Sequence, residues 1–279
     1  MENRLILVEG IPGSGKTTNA KKIKEKLISE GKEVMLYEEG ASHPADMAWS
    51  AYLNEEEYAD FLLKCLDMWE TSEKIISKEE LTLRIEVQAR KEENHIILAY
   101  TRIDFPEACY LILVDNIATK EICDGRRSLT EFKEIHLMRW NRFAKNALKD
   151  DTIYIFECAF LQNHIFELLG DYEKNDNEIY TYLSDLLDTV KCLNPYILYI
   201  EPYDVEKIIL EAAEERKSTV NTQKDWIDEM CNWVSNMNYG KSHNLTGKEG
   251  VFSFCKERLR IDKVMLEKLD MPVILIDRN

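Results

Sequence analysis

Eight residues near the start of the chain, Gly10-Ile-Pro-Gly-Ser-Gly-Lys16-Thr17, restrict its fold more than any other feature. They fit Gly-x-x-x-x-Gly-Lys-[Ser/Thr] at every fixed position. The apolar run Arg4-Leu-Ile-Leu-Val8 precedes them and reads as a buried parallel strand. Lys16 to Glu30 follows with charged and apolar residues at helical spacing, and Gly31 stands where a C-cap belongs. Glu33-Val-Met-Leu-Tyr37 then reads as a second strand. Strand, Gly-rich loop, helix and strand make a βαβ unit, which requires a parallel sheet and a right-handed crossover.

The loop has a chemical purpose written into its residue types. Gly10, Pro12, Gly13, Ser14 and Gly15 allow a tight turn whose successive N–H groups point inward at phosphate oxygens. The helix opening at Lys16 adds its positive end. Lys16 is placed to reach the β and γ phosphates of ATP, the Thr17 hydroxyl to ligate Mg²⁺, and Thr18 to line the same cradle.

Composition narrows the remaining classes. The 279 residues suffice for one α/β domain with sizeable insertions, and 45% hydrophobic with 10% aromatic residues supply a full core. Lys and Arg number 36 against 52 Asp and Glu, a formal charge of −16, which opposes polynucleotides and anionic membranes. No apolar run approaches the ~20 residues that span a bilayer. Seven scattered cysteines without a Cys-x-x-Cys pair, and no signal-peptide layout, lead to the expectation of reduced thiols in a cytoplasmic protein. The histidines lack metal-ligand spacing, and Cys158 reads as a small buried residue.

Further strands are expected at Thr152–Phe156, Pro195–Ile200 and Pro272–Ile276, and Asp204 is expected to cap a helix running to Glu215. From 45 to 150 the pattern is mostly helical, with a strand at His95–Ala99 and an ambiguous run at Cys109–Val114. Glu38-Glu39-Gly40 lies at the carboxyl edge of the second strand, where open α/β sheets bind ligands, with His43 and Asp46 nearby. Ile153–Phe156 is an apolar strand ending in the carboxylate Glu157.

With these residues in place, the chain resembles the P-loop kinases of the nucleoside and nucleotide type, with a layout most like thymidylate kinases. The resemblance implies a doubly wound, mainly parallel five-stranded α/β sheet of P-loop NTPase type. It implies one kinase-like domain over 1–279, a helical insertion at 45–150 acting as substrate cap, and a lid with C-terminal helices at 216–269. It implies ATP and Mg²⁺ as cofactors and a small-molecule phosphoryl acceptor as partner, and leaves a homodimer open. Glu39 is then a candidate for binding or deprotonating the acceptor hydroxyl, with His43 and Asp46 in the substrate site. Glu157 becomes a metal-side carboxylate or base, and Arg216 the lid cation, with Lys217, Lys224, Arg258 and Arg260 as weaker choices. One departure matters: thymidylate kinases carry Asp-Arg at the edge where this chain reads Glu157-Cys158-Ala159-Phe160. The missing positive charge is then sought in Arg126, Arg127, Arg139 or Arg142. Alternative functions are a regulatory P-loop switch or hydrolase and an antibiotic-modifying kinase. No Asn-Lys-x-Asp motif of GTPases and no Leu-Ser-Gly-Gly-Gln of transporter ATPases occurs.

Overall fold

The computed structural model describes residues 3–71, 75–105, 117–217 and 225–278. The ambiguous run at Cys109–Val114 and the weaker lid choice Lys224 lie outside them. The described elements begin β1 (Leu5–Glu9), α1 (Lys16–Ser29), β2 (Val34–Tyr37), β3 (Ala51–Asn54), α2 (Glu55–Thr71), α3 (Lys78–Glu86), β4 (Ala89–Glu92) and β5 (His95–Leu98). They continue α4 (Leu129–Ala147), β6 (Ile153–Glu157), α5 (Gln162–Gly170), α6 (Asp176–Val190) and β7 (Tyr196–Glu201). The chain closes with α7 (Val205–Glu215), α8 (Trp226–Asn236), α9 (Asn238–Ser242), α10 (Gly247–Lys268) and β8 (Val273–Asp277). The chain divides into two compact units, Met1–Glu38 with Lys133–Asn279, and Glu39–Phe132.

The first unit is an α/β layer structure built on a five-stranded sheet of order β2-β6-β1-β7-β8. All its pairings are parallel. β1 is buried along its whole length, which is why Leu-Ile-Leu-Val carries no alternation. Ile6 and Val8 pack with Ala20 of α1, Val34, Ile153, Ile155, Leu198 and Ile200 in one apolar cluster. α1 ends as its glycine requires: Gly31 sits at φ 80°, Gly31 N–H donates to Ile28 and Lys32 N–H to Leu27. Asp204 caps α7 by accepting from Lys207 N–H, and Asn175 with Glu178 forms a reciprocal capping box on α6. The sheet reverses its strand order about β1, so the carboxyl end of β1 is the point where such sheets leave a crevice for ligands.

The second unit is only partly helical. β3, β5 and β4 form a three-stranded antiparallel sheet in that order, and α2 and α3 supply Phe61, Cys65, Leu81 and Ile85 to its apolar cluster. Only β5 was expected. β4 reads Ala-Arg-Lys-Glu, a charged edge strand with low strand propensity. It reaches β5 through a two-residue turn with Glu93 at φ 52°, without the Asn-Gly signature of hairpins. This unit takes in α4 only as far as Phe132. The rest of α4 lies in the first unit, where Trp140 and Phe143 bury their rings against Phe156 of β6. α10 is likewise a core helix, with Val251, Phe254, Cys255, Ile261 and Met265 buried. No helix among the described residues is long and apolar enough to cross a membrane.

Candidate functional site

The loop between β1 and α1 is fixed from three sides. Gly10 has φ 149°, and a Cβ there would lie 2.9 Å from the Ile200 carbonyl. Gly13 has φ 79°, and a Cβ there would lie 2.8 Å from Cβ of Ala212 and 3.0 Å from the Ile208 carbonyl of α7. Only glycine permits both the conformation and the approach. Lys16 is buried, and its Nζ donates to the Ile11 carbonyl at 2.9 Å, curling the ammonium over the loop. Ser14 N–H donates to the same carbonyl at 3.2 Å. From outside, the Arg278 guanidinium donates to the Gly13 carbonyl and pairs with Glu211 of α7 at 3.1 Å. Pro12 is buried within the loop, and Thr18 is exposed in the first turn of α1.

Thr17 and Glu157 meet. β1 and β6 run parallel with Val8 opposite Glu157, so the end of β6 faces the first turn of α1. The Thr17 hydroxyl donates to Glu157 Oε1 at 2.5 Å. A hydroxyl and a carboxylate beside a phosphate-binding loop are the hard oxygen donors that Mg²⁺ takes, so the residues fit that ion. Cys158, directly after Glu157, is buried as expected, but it adopts φ 66°, a left-handed backbone rare for a residue with a side chain.

Beneath the loop lies a charged cluster that sequence reading missed. Glu9, the residue before Gly10, is fully buried. Its carboxylate accepts from Phe160 N–H at 2.8 Å and from Gln162 N–H at 3.0 Å. Burial pushes its pKa up to about 7, against the lowering effect of those hydrogen bonds and of the Arg258 charge. Arg258 and Asp262, one turn apart on α10, pair at 2.6 Å, and Tyr199 of β7 donates its hydroxyl to the other Asp262 oxygen at 2.7 Å. Asp262 is raised by burial, with Arg258 opposing. The signal for Glu9 was present: Leu5–Glu9, like Ile153–Glu157, is an apolar strand ending in a carboxylate. Arg278 left no such trace.

The remaining candidates fall in different surroundings. Arg258 is a fully buried core cation stacked over Phe166 at 4.8 Å and is unsuited to a lid. Arg260 is held on the surface by Asp176 and Glu257, and Lys217 by Glu214. Arg216 is exposed at the C-cap of α7, its guanidinium 4.8 Å from the Trp226 ring. Arg139 is buried in α4, and Arg142 is half-buried. Glu38 pairs with Lys21 at 3.1 Å.

Glu39, His43, Asp46, Arg126 and Arg127 belong to the second unit. The Glu39 carbonyl accepts from Arg102. His43 is buried, and its Nδ1 accepts from the backbone N–H groups of Ala45 and Asp46 at 3.0 and 2.8 Å, so it organises its own loop. Asp46 Oδ2 accepts from Ala48 N–H at 3.4 Å. Arg126 lies 3.7 Å from the buried Glu121.

A parallel sheet with the glycine loop at its central strand, a curled lysine and a Thr–Glu pair define a P-loop phosphate-binding protein. Residues 8–87, less than a third of the chain, match the family model for thymidylate kinase, which supports a P-loop of the nucleoside and nucleotide kinase type. No curated protein matches the chain. Thirty-five chains of known structure match, among them deoxyadenosine kinase from M. mycoides with bound dATP. That match has 15% identity and a TM-score of 0.38, and covers 98% of this chain and 91% of the other.

Proposed function

We propose that the chain is an ATP- and Mg²⁺-dependent kinase that phosphorylates a hydroxyl or phosphate of a nucleoside, nucleotide or similar small molecule. The observation that carries this reading is the Thr17–Glu157 contact at 2.5 Å beside the buried Lys16, with Lys16 and Thr17 inside the residues 8–87 that match thymidylate kinases. Loop amides and Lys16 bind the β and γ phosphates and hold them in line. Thr17 and Glu157 would hold Mg²⁺, which when bound neutralises charge on the phosphate oxygens. The acceptor oxygen attacks the γ phosphorus, the bond to the β–γ bridging oxygen breaks, and ADP leaves. Because Glu157 is already engaged with Thr17, Glu39 is the favoured proton acceptor and Glu157 the metal-side carboxylate. His43 and Asp46 are assigned to the acceptor together with Glu39, and Arg126 and Arg139 are the cations assigned to it. Arg216 is assigned to charge neutralisation from the lid segment, and the helical insertion to the substrate cap.

A mass-spectrometric screen of nucleosides, nucleotides and hydroxylated antibiotics with MgATP tests this reading. The expected result is one acceptor class gaining a single phosphate, with no gain in Lys16→Ala. Free phosphate without any phosphorylated acceptor would instead favour a hydrolase or switch.

A further inference from the structure

We propose that Glu9 is a positioning residue whose two carboxylate oxygens fix the backbone of residues 158–162, and thereby aim Glu157 at Thr17. The proposal rests on reading Thr17 and Glu157 as the cation side of the phosphate site.

The turn leaving β6 is anchored to β1 at three points. Cys158 N–H donates to the Val8 carbonyl at 3.1 Å. Phe160 N–H and Gln162 N–H donate to the two oxygens of Glu9. The first anchor is ordinary backbone pairing. The other two exist only because the last residue of β1 carries a carboxylate. A left-handed non-glycine residue such as Cys158 is strained and persists only where its surroundings over-determine it. The Glu9 anchors supply that constraint immediately after Glu157.

The chemistry demands this residue type. A carboxylate offers two acceptors on one short head, matched to two amide donors. Glutamine would turn an NH₂ group toward one of the amides and leave a buried donor unpaired. A buried charge is costly and would give way to an apolar residue if packing were its only use. Here it is retained, with Arg258 facing it, Asp262 paired to Arg258, and Tyr199 bonded to Asp262. β1, β7 and α10 thus converge on the strand end that opens the loop.

The test compares wild type with Glu9→Gln and Glu9→Asp by amide hydrogen exchange and by the Mg²⁺ dependence of ATP binding. In Glu9→Gln, exchange at Phe160 and Gln162 should accelerate at least about tenfold, while the amides of Gly13 to Thr17 keep wild-type protection. The Mg²⁺ needed for half-saturation should rise about ten- to a hundredfold, the range for residues that support metal ligands. Glu9→Asp keeps the charge and withdraws it by one methylene, so both effects should be partial; it also carries the test if Glu9→Gln does not accumulate folded. Wild-type exchange at 158–162 together with wild-type Mg²⁺ dependence in the variants would overturn the proposal. A wild type that binds MgATP but transfers no phosphate would defeat the kinase reading alone, leaving both readouts of Glu9 intact.

Discussion

The hydroxyl of Thr17 and the carboxylate of Glu157 are joined at 2.5 Å across the gap between the first turn of α1 and the end of β6. These residues lie 140 positions apart, and the parallel register of β1 with β6 brings them together. Removing the charge but keeping the shape, as in Glu157→Gln, should raise the Mg²⁺ needed for ATP binding about ten- to a hundredfold. ATP binding without Mg²⁺ should change little, because the loop amides and Lys16 are untouched. Calorimetric titration with and without the cation measures both.

Gly13 should tolerate no side chain. Alanine there would meet Cβ of Ala212 at 2.8 Å and would hold φ 79°, which costs an L-residue roughly 1–2 kcal/mol before any clash. With overpacking of about 1–3 kcal/mol added, Gly13→Ala should lower unfolding stability by about 2–5 kcal/mol. Its nucleotide affinity should fall as well, because the loop must move off α7. Urea denaturation and nucleotide titration check the two effects separately.

Glu9 should make stability depend on pH. Its carboxyl ionises near 4.5 in the unfolded chain and near 7 when folded. Below 4.5 both states are protonated; between 4.5 and 7 the unfolded state has released the proton while the folded state keeps it. The stabilisation is therefore complete below 4.5, is lost as pH rises through 7, and then levels off. The full change is about 3 kcal/mol. Glu9→Gln lacks this ionisation, so its stability relative to wild type should rise by about that amount between pH 4 and pH 8. Urea midpoints at the two pH values decide it.

The strand sequence of the first unit was legible because each strand is an apolar run bounded by a glycine, a proline or a carboxylate, although only β1, β6 and β7 are largely buried while the edge strands β2 and β8 are partly exposed. The P-loop was legible because its glycines, lysine and threonine are each demanded by local geometry. The second unit was not, since β4 is Ala-Arg-Lys-Glu and is a strand only because β5 pairs with it. Arg258 was among the weaker choices for a lid cation, and only tertiary packing against Asp262, Tyr199 and Phe166 buries it. Glu157 could be read from one strand; its contact with Thr17 could not.

Arg278 should contribute modestly to nucleotide binding. It steadies the Gly13 carbonyl and pairs with Glu211, and both side chains are partly exposed. A loss of about 1 kcal/mol is expected for Arg278→Ala, or roughly fivefold in ATP affinity. Maximal turnover should be unchanged at saturating ATP. A steady-state titration of ATP at fixed acceptor separates the two parameters.

The central claim is that the loop from Gly10 to Thr18 holds a triphosphate so that its terminal phosphoryl group can pass to an acceptor. Following the phosphorus resonances of MgATP in the presence of nucleosides and nucleotides tests it most directly, with Lys16→Ala alongside. The account predicts that the γ signal becomes a phosphorylated acceptor with the wild type and remains on ATP with the variant. A γ signal that turns only into inorganic phosphate, or an acceptor phosphorylated equally fast by Lys16→Ala, would contradict it.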